Sequence, residues 1–241
     1  MADQEIIKHV KKAITVSRDH TKKWQHKLLE ILLEIGIIVF AVSLSIWLHN
    51  WSESLKDRDE EREFLTGLKQ DLQADIKEMT SDRHAFEVVL HGARYFRRMG
   101  AGEPPNIDSL KIYQDVLGSY VQINPRISRF EALKGSGKMN IIRDKELLLH
   151  ITDLYTKDFP LIVLRNNFIN SIRQTQIFPF MAEHLQLDDK DRPTNFLQFI
   201  HLSQMRLMLV ALQSAQNNIE AYTLGIEKCE LIIGEIDRDL K

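Results

Sequence analysis

Between Leu28 and Leu48 the chain reads LLEILLEIGIIVFAVSLSIWL, 21 residues with only two charges, Glu30 and Glu34. At about 1.5 Å per residue, a helix of that length spans roughly 30 Å, the thickness of a bilayer's hydrocarbon core. Trp24 precedes the run, and Trp47 and Trp51 stand at its far end. Amphipathic rings of this kind favour membrane interfaces. A buried helix in a soluble domain seldom needs so long an apolar stretch, so the segment is expected to cross a membrane. Ala41-Val42-Ser43 would pass as a signal-peptidase site. The apolar run continues through Leu48, however, and 27 residues precede it, which favours an uncleaved anchor.

The flanks set the expected orientation. Residues 1–27 carry seven Lys and Arg against three Asp and Glu, a net +4. Residues 49–63 carry three against six, a net -3. Basic flanks stay cytoplasmic, so residues 1–27 are expected inside as a basic arm, with 28–51 as the span. Residues 52–241 are then outside, in the periplasm of a bacterium with two membranes. Within the span, Glu34 is either paired near the headgroups with Lys23 or Lys27, or turned toward a partner helix. Gly36 would permit close helix approach. Trp47, Asn50 and Trp51 are the candidate anchoring or helix-contact residues at the membrane exit.

Beyond the span the pattern is helical. The whole chain of 241 residues holds 10 Gly and 6 Pro, too few for a loop-rich β protein. Leu65, Leu68, Leu72, Ile76, Met79, Phe86 and Leu90 recur at helical spacing without a proline, which predicts one long helix from the membrane to about Met99. Gly100, Gly102, Pro104 and Pro105 end it. Asn106 or Asp108 caps a predicted helix over 107–122, and Asn124-Pro125 starts another over 125–134. Asp144 caps a helix expected to end before Pro160, and a further helix covers 160–182. From Met205 to Leu240 apolar residues alternate by three and four over five heptads. This seam serves either a bundle within the chain or a coiled coil between chains, since both use the same side-chain geometry. The predicted fold is all-α: an N-terminal transmembrane helix continuing into a long helix, plus an antiparallel extramembrane bundle.

Several classes of chemistry are disfavoured. A net charge of -2 argues against a nucleic-acid binder. A single cysteine, Cys229, excludes a disulfide within the chain and any multi-cysteine metal site. Gly135-Ser136-Gly137-Lys138 suggests a phosphate loop, but Ala132 stands where the first glycine belongs and Met139 where Ser or Thr belongs. His84, Glu87 and His91 share one helix face and could ligate a metal, although a solvated face explains them as well. Arg94, Arg97 and Arg98 with Tyr95 and Phe96 form a basic-aromatic cluster that fits a charged surface or an anion site. His150 and Glu183-His184 read as structural. No catalytic residue, cofactor or metal is assigned.

Two segments carry a family resemblance. Glu34-Ile35 through Asn50-Trp51-Ser52-Glu53 resembles the N-terminal signature of a family of single-span proteins common in Bacteroidota, catalogued as domain of unknown function 6090. The acid-to-tryptophan spacing matches between Glu34 and Trp51. Trp47, His49 and Leu33 depart from the usual Gln, Asn and Gly. Phe130 through Ile142, with Glu146-Leu147 and Leu154-Tyr155, resembles the family's Ser-Gly-Lys block. The resemblance implies a membrane-anchored helical protein and supplies no catalytic residues.

The expected function is that of a non-enzymatic scaffold or envelope-complex subunit, with the bilayer and either a second copy or an envelope protein as partners. Ser136, Gly137, Lys138 and Asn140 are the candidate interaction surface. The alternatives are a periplasmic ligand sensor signalling through a partner, and a membrane-bound hydrolase built on His84, Glu87 and His91.

Overall fold

A computed structural model describes the backbone of residues 2–113, 115–190 and 192–240, and the side chains of Trp24, residues 28–29 and the described residues from 31 onward. The fold is all-α. The elements are α1 (Ala2–Met99), α2 (Ile107–Tyr113), α3 (Ser128–Gly135), α4 (Lys145–Asp153), α5 (Phe159–Ile172), α6 (Phe178–His184), α7 (Phe196–His201), α8 (Ser203–Leu212) and α9 (Ala215–Asp239). Among the described residues the sole β feature is an isolated bridge between Leu187 and Pro193. The chain divides into two compact units, residues 1–59 and 60–241.

The first unit is helical and its described side chains from Ile31 to Ser54 are all exposed. Its apolar window has a mean hydropathy of 2.5 with none of it buried, so this helix is long and apolar enough to cross a membrane. Trp47 and Trp51 stack one turn apart, with centroids 6.3 Å apart and planes 4° off parallel.

The second unit has one core, formed chiefly by three helical runs. Residues 60–99 of α1 turn Leu65, Leu68, Leu72, Met79, Phe86 and Ala93 inward. Helix α9 runs antiparallel to them, because Asp237 meets Lys69, Gly225 approaches Met79 and Tyr222 reaches Asp82. It is antiparallel to α4 and α5 as well, pairing Glu235 with His150 and Tyr222 with Asn166. Met208, Ala215, Tyr222, Cys229 and Ile236, seven residues apart, are all buried within the chain. The heptad seam therefore packs intramolecularly.

Four predicted boundaries need correction. Helix α2 stops at Tyr113, nine residues early, and the next segment becomes a strap with Val116, Leu117, Val121 and Ile123 buried. Side chains serve that strap's backbone: Asn170 donates to the Val121 carbonyl and Arg173 to that of Val116. Helix α3 starts at Ser128 rather than 125, because the N–H groups of Asn124 and Arg126 donate to Glu78 and Asp75 on α1. The helix begun at Lys145 does not end before Pro160. It passes through a π turn at Leu154–Asp158 into α5, and a second π turn at Arg173–Ile177 precedes Pro179. A proline ring clashes with the carbonyl four residues back in an α-helix, and the wider turn relieves that clash. The C-terminal heptads, finally, are borne by two helices, α8 and α9, interrupted at Gln213-Ser214. Ser214 Oγ donates to the Ala211 carbonyl there, a local bond that competes with helix continuation. The Asp144 cap stands as expected, accepting from the N–H groups of Glu146 and Leu147.

Gly225 lies at a close approach of α9 to α1 and α5. A Cβ there would sit 2.8 Å from Ile162 Cδ1 and 3.4 Å from Met79 Sδ, both ends of flexible side chains. Gly225→Ala is therefore expected to unfold within about 1 kcal/mol of the native chain, because its helix propensity offsets a small repacking. Gly225→Leu is expected to lose about 1–3 kcal/mol by overpacking. Urea denaturation of both variants checks the crossing. Equal stability of the Leu variant would mean that the helices are not in close contact here.

Candidate functional site

Acidic residues recur along α1 from Glu60 to Glu78, and basic residues recur along 126–143. The two segments run antiparallel and pair in order. Lys138 Nζ meets Glu60 at 2.6 Å, Arg129 Nε meets Asp71 at 2.8 Å and Arg126 Nη1 meets Asp75 at 2.5 Å. The Arg143 N–H donates to buried Glu61 at 2.7 Å. Exposed pairs of this type contribute little individually. Asp75 is different, because it is 1% exposed and receives both the guanidinium and the backbone N–H of Arg126. Burial pushes its pKa above the ordinary carboxylate value, more than Arg126 pulls it down. The Arg126 guanidinium is held above its own ordinary value by Asp75.

Between these segments lies an open groove of about 880 Å³. Phe64, Leu133 and Ile141 supply buried apolar surface in its lining, with Ala132 beside them. Glu60, Glu63, Asp71, Arg126, Arg129 and Lys138 give it charge of both signs, and Ser128 and Ser136 add hydroxyls. The lining contains no histidine or cysteine. The turn that shapes one end follows from its sequence. Helix α3 ends at Gly135, and Gly137 takes φ +73°, a conformation that glycine reaches without strain.

The candidate surface residues thus separate. Ser136 and Lys138 line the groove, Gly137 makes the turn, and Asn140 is exposed on the short 3₁₀ turn Met139–Ile141 outside the lining. Trp47 and Trp51 meet each other, while Glu34 and Asn50 are exposed in the first unit. Gly36 borders open space, where an added methyl group would meet nothing within 4 Å. The expected partners of Glu34, Lys23 and Lys27, have side chains outside the described residues. His84 approaches Glu87 at 3.2 Å on the surface, and His91 does not join them among the described residues.

A different histidine makes the tighter cluster. His150 Nδ1 lies 2.9 Å from both carboxylate oxygens of buried Glu235, and ligand atoms of Glu146, His150 and Glu235 fall within 4.8 Å of one another. These are the described residues that could hold a metal ion, but the imidazole already satisfies Glu235, and Arg238 stands 3.9 Å from it. The spacing of Glu146 and His150 is visible in sequence as i, i+4; the arrival of Glu235 from α9 is not. Cys229 is buried, and burial pushes its thiol up to about 12, far from a reactive thiolate.

Removing the Arg126 guanidinium leaves a buried carboxylate without its counter-charge. Arg126→Met is expected to cost about 2–3 kcal/mol at pH 7, less than the roughly 3–5 kcal/mol of a fully buried pair because Arg126 is itself half-exposed. The penalty belongs to ionised Asp75, whose folded pKa is raised. It is therefore present above that pKa and shrinks as pH falls through it and the carboxyl takes up its proton. Denaturation of variant and native chains at pH 7 and pH 5 measures it. A penalty that grows on acidification would contradict the assignment.

No protein-family description, curated protein or solved structure matches the chain.

Proposed function

We propose that this chain is a single-pass protein of the bacterial inner membrane, with its N-terminus cytoplasmic and its helical domain periplasmic. It acts as a non-enzymatic scaffold or as a subunit of an envelope complex. The charge difference across the span supports this orientation. The groove carries the docking role. Its apolar surface is accessible, and its basic side chains already have acidic partners across it. A small anion would have to break these pairs, whereas an amphipathic helix or peptide covers the apolar floor and leaves them intact. Its two serines have no imidazole or thiolate beside them in the lining, which supports a role in binding rather than covalent catalysis. On α5, Leu161, Leu164 and Phe168 add an exposed apolar stripe suited to helix contact.

The test is the native mass of full-length protein extracted gently with its co-purifying proteins. A defined homo-oligomer or a stoichiometric foreign partner is expected. Ala132→Trp, which fills the groove from an exposed position, is expected to weaken that association at least tenfold without changing the melting temperature. A lone monomer, or an association indifferent to Ala132→Trp, would overturn the groove as docking site.

A further inference from the structure

Among the described residues of the second unit, every other buried charge has a partner of opposite charge or a donor aimed at it. Asp75 has Arg126, Glu235 has His150, and Glu61 accepts from the Arg143 N–H. Arg173 is the exception. It is 1% exposed and stands at the start of the second π turn. Its Nη2 donates to the Val116 carbonyl at 3.3 Å and to Ser119 Oγ at 3.2 Å. Its Nε and Nη1 are buried without an acceptor among the described residues. No acidic side chain pairs with it among the described residues. Burial pushes its pKa down to about 10, so it is still a cation at neutral pH. One turn earlier, Asn170 donates to the Val121 carbonyl at 2.8 Å, while its buried Oδ1 has no donor.

A guanidinium cannot escape burial by losing its proton near neutral pH, as a lysine or histidine can. It must be neutralised in place. The surrounding chemistry limits the neutralising group. The strap whose carbonyl and hydroxyl it meets turns Val116, Leu117, Val121 and Ile123 into the core, so a bulky ligand would have to displace buried apolar side chains. Gly118 and Tyr120 of the strap are exposed.

We propose that Arg173 forms the floor of a buried binding site for one compact monovalent anion, a halide or a small carboxylate, beside the 115–123 strap. The anion accepts hydrogen bonds from Nε or Nη1. An ordered water donates one hydrogen to the anion and the other to Asn170 Oδ1. Neither contact engages the groove lining, so this site stands apart from the docking reading. It is the observation that favours a ligand-responsive domain.

Full-length protein in detergent is melted in chloride, bromide, formate and gluconate at equal ionic strength, alongside Arg173→Met. Saturating compact anion is expected to raise the melting temperature of the native chain by roughly 5 °C over bulky gluconate. The variant is expected to show no such difference. A larger shift with formate than with chloride identifies a carboxylate site, and the reverse order a halide site. Equal melting of the native chain in all four salts, as water filling alone would give, overturns the proposal, as does an undiminished shift in Arg173→Met. Should that variant fail to fold, equilibrium dialysis of the native chain against bromide and, separately, against isotope-labelled formate decides. About one of either anion bound per chain supports the site, and neither above the buffer level overturns it.

Discussion

Helix α1 carries two different surface patterns. Around residues 31–48 it is apolar on every face, with none of that surface buried. Leaving it in water would cost on the order of 20 kcal/mol, since each large apolar side chain contributes about 1.5–3 kcal/mol on leaving water. That exceeds the whole stability of an ordinary domain, roughly 5–15 kcal/mol. From Glu60 onward the same helix is apolar on one stripe only, and the stripe is covered by other helices of the chain. The change of pattern coincides with the division of the chain into the units 1–59 and 60–241.

Within the second unit, apolar burial supplies the driving force and charge supplies the register. The seven-residue repeat of α9 fits against α1 and α5, with Gly225 at a close approach. Tyr222 bridges the three helices, accepting from Asn166 and donating to Asp82. The acid–base pairing of α1 with 126–143 holds the latter segment in one alignment. Desolvation of Asp75 limits its net contribution, so its role is chiefly to specify alignment. The groove exists because the paired segments meet through long polar side chains at their edges and apolar ones at the floor.

Features set by local pattern are legible in sequence. The all-α fold, the apolar span, the end of α1 at Met99, the Asp144 cap and the glycine turn at 135–137 all depend on neighbours within a few residues. The features that escape depend on distant partners. Arg126 and Asp75 are 51 positions apart, and Lys138 and Glu60 are 78 apart. Nothing local distinguishes Arg173 from a surface arginine, although Asn166, Asn170 and Arg173 share helical spacing on a run that also carries Ile162 and Ile169. Pro160 is a misleading stop signal because π turns are invisible to a 3.6-residue period. Ser136 and Lys138 flank the glycine turn that the sequence itself announces, and both line the groove. Asn140, two residues farther, does not.

Membrane integration is the claim on which the rest of the functional account stands. Its most direct test is alkaline carbonate extraction of membranes from cells expressing the chain, followed by intact mass of the retained protein. An integrated protein resists carbonate and still includes residues 28–48. Release into the supernatant, or a mature form cleaved after Ser43, would contradict it.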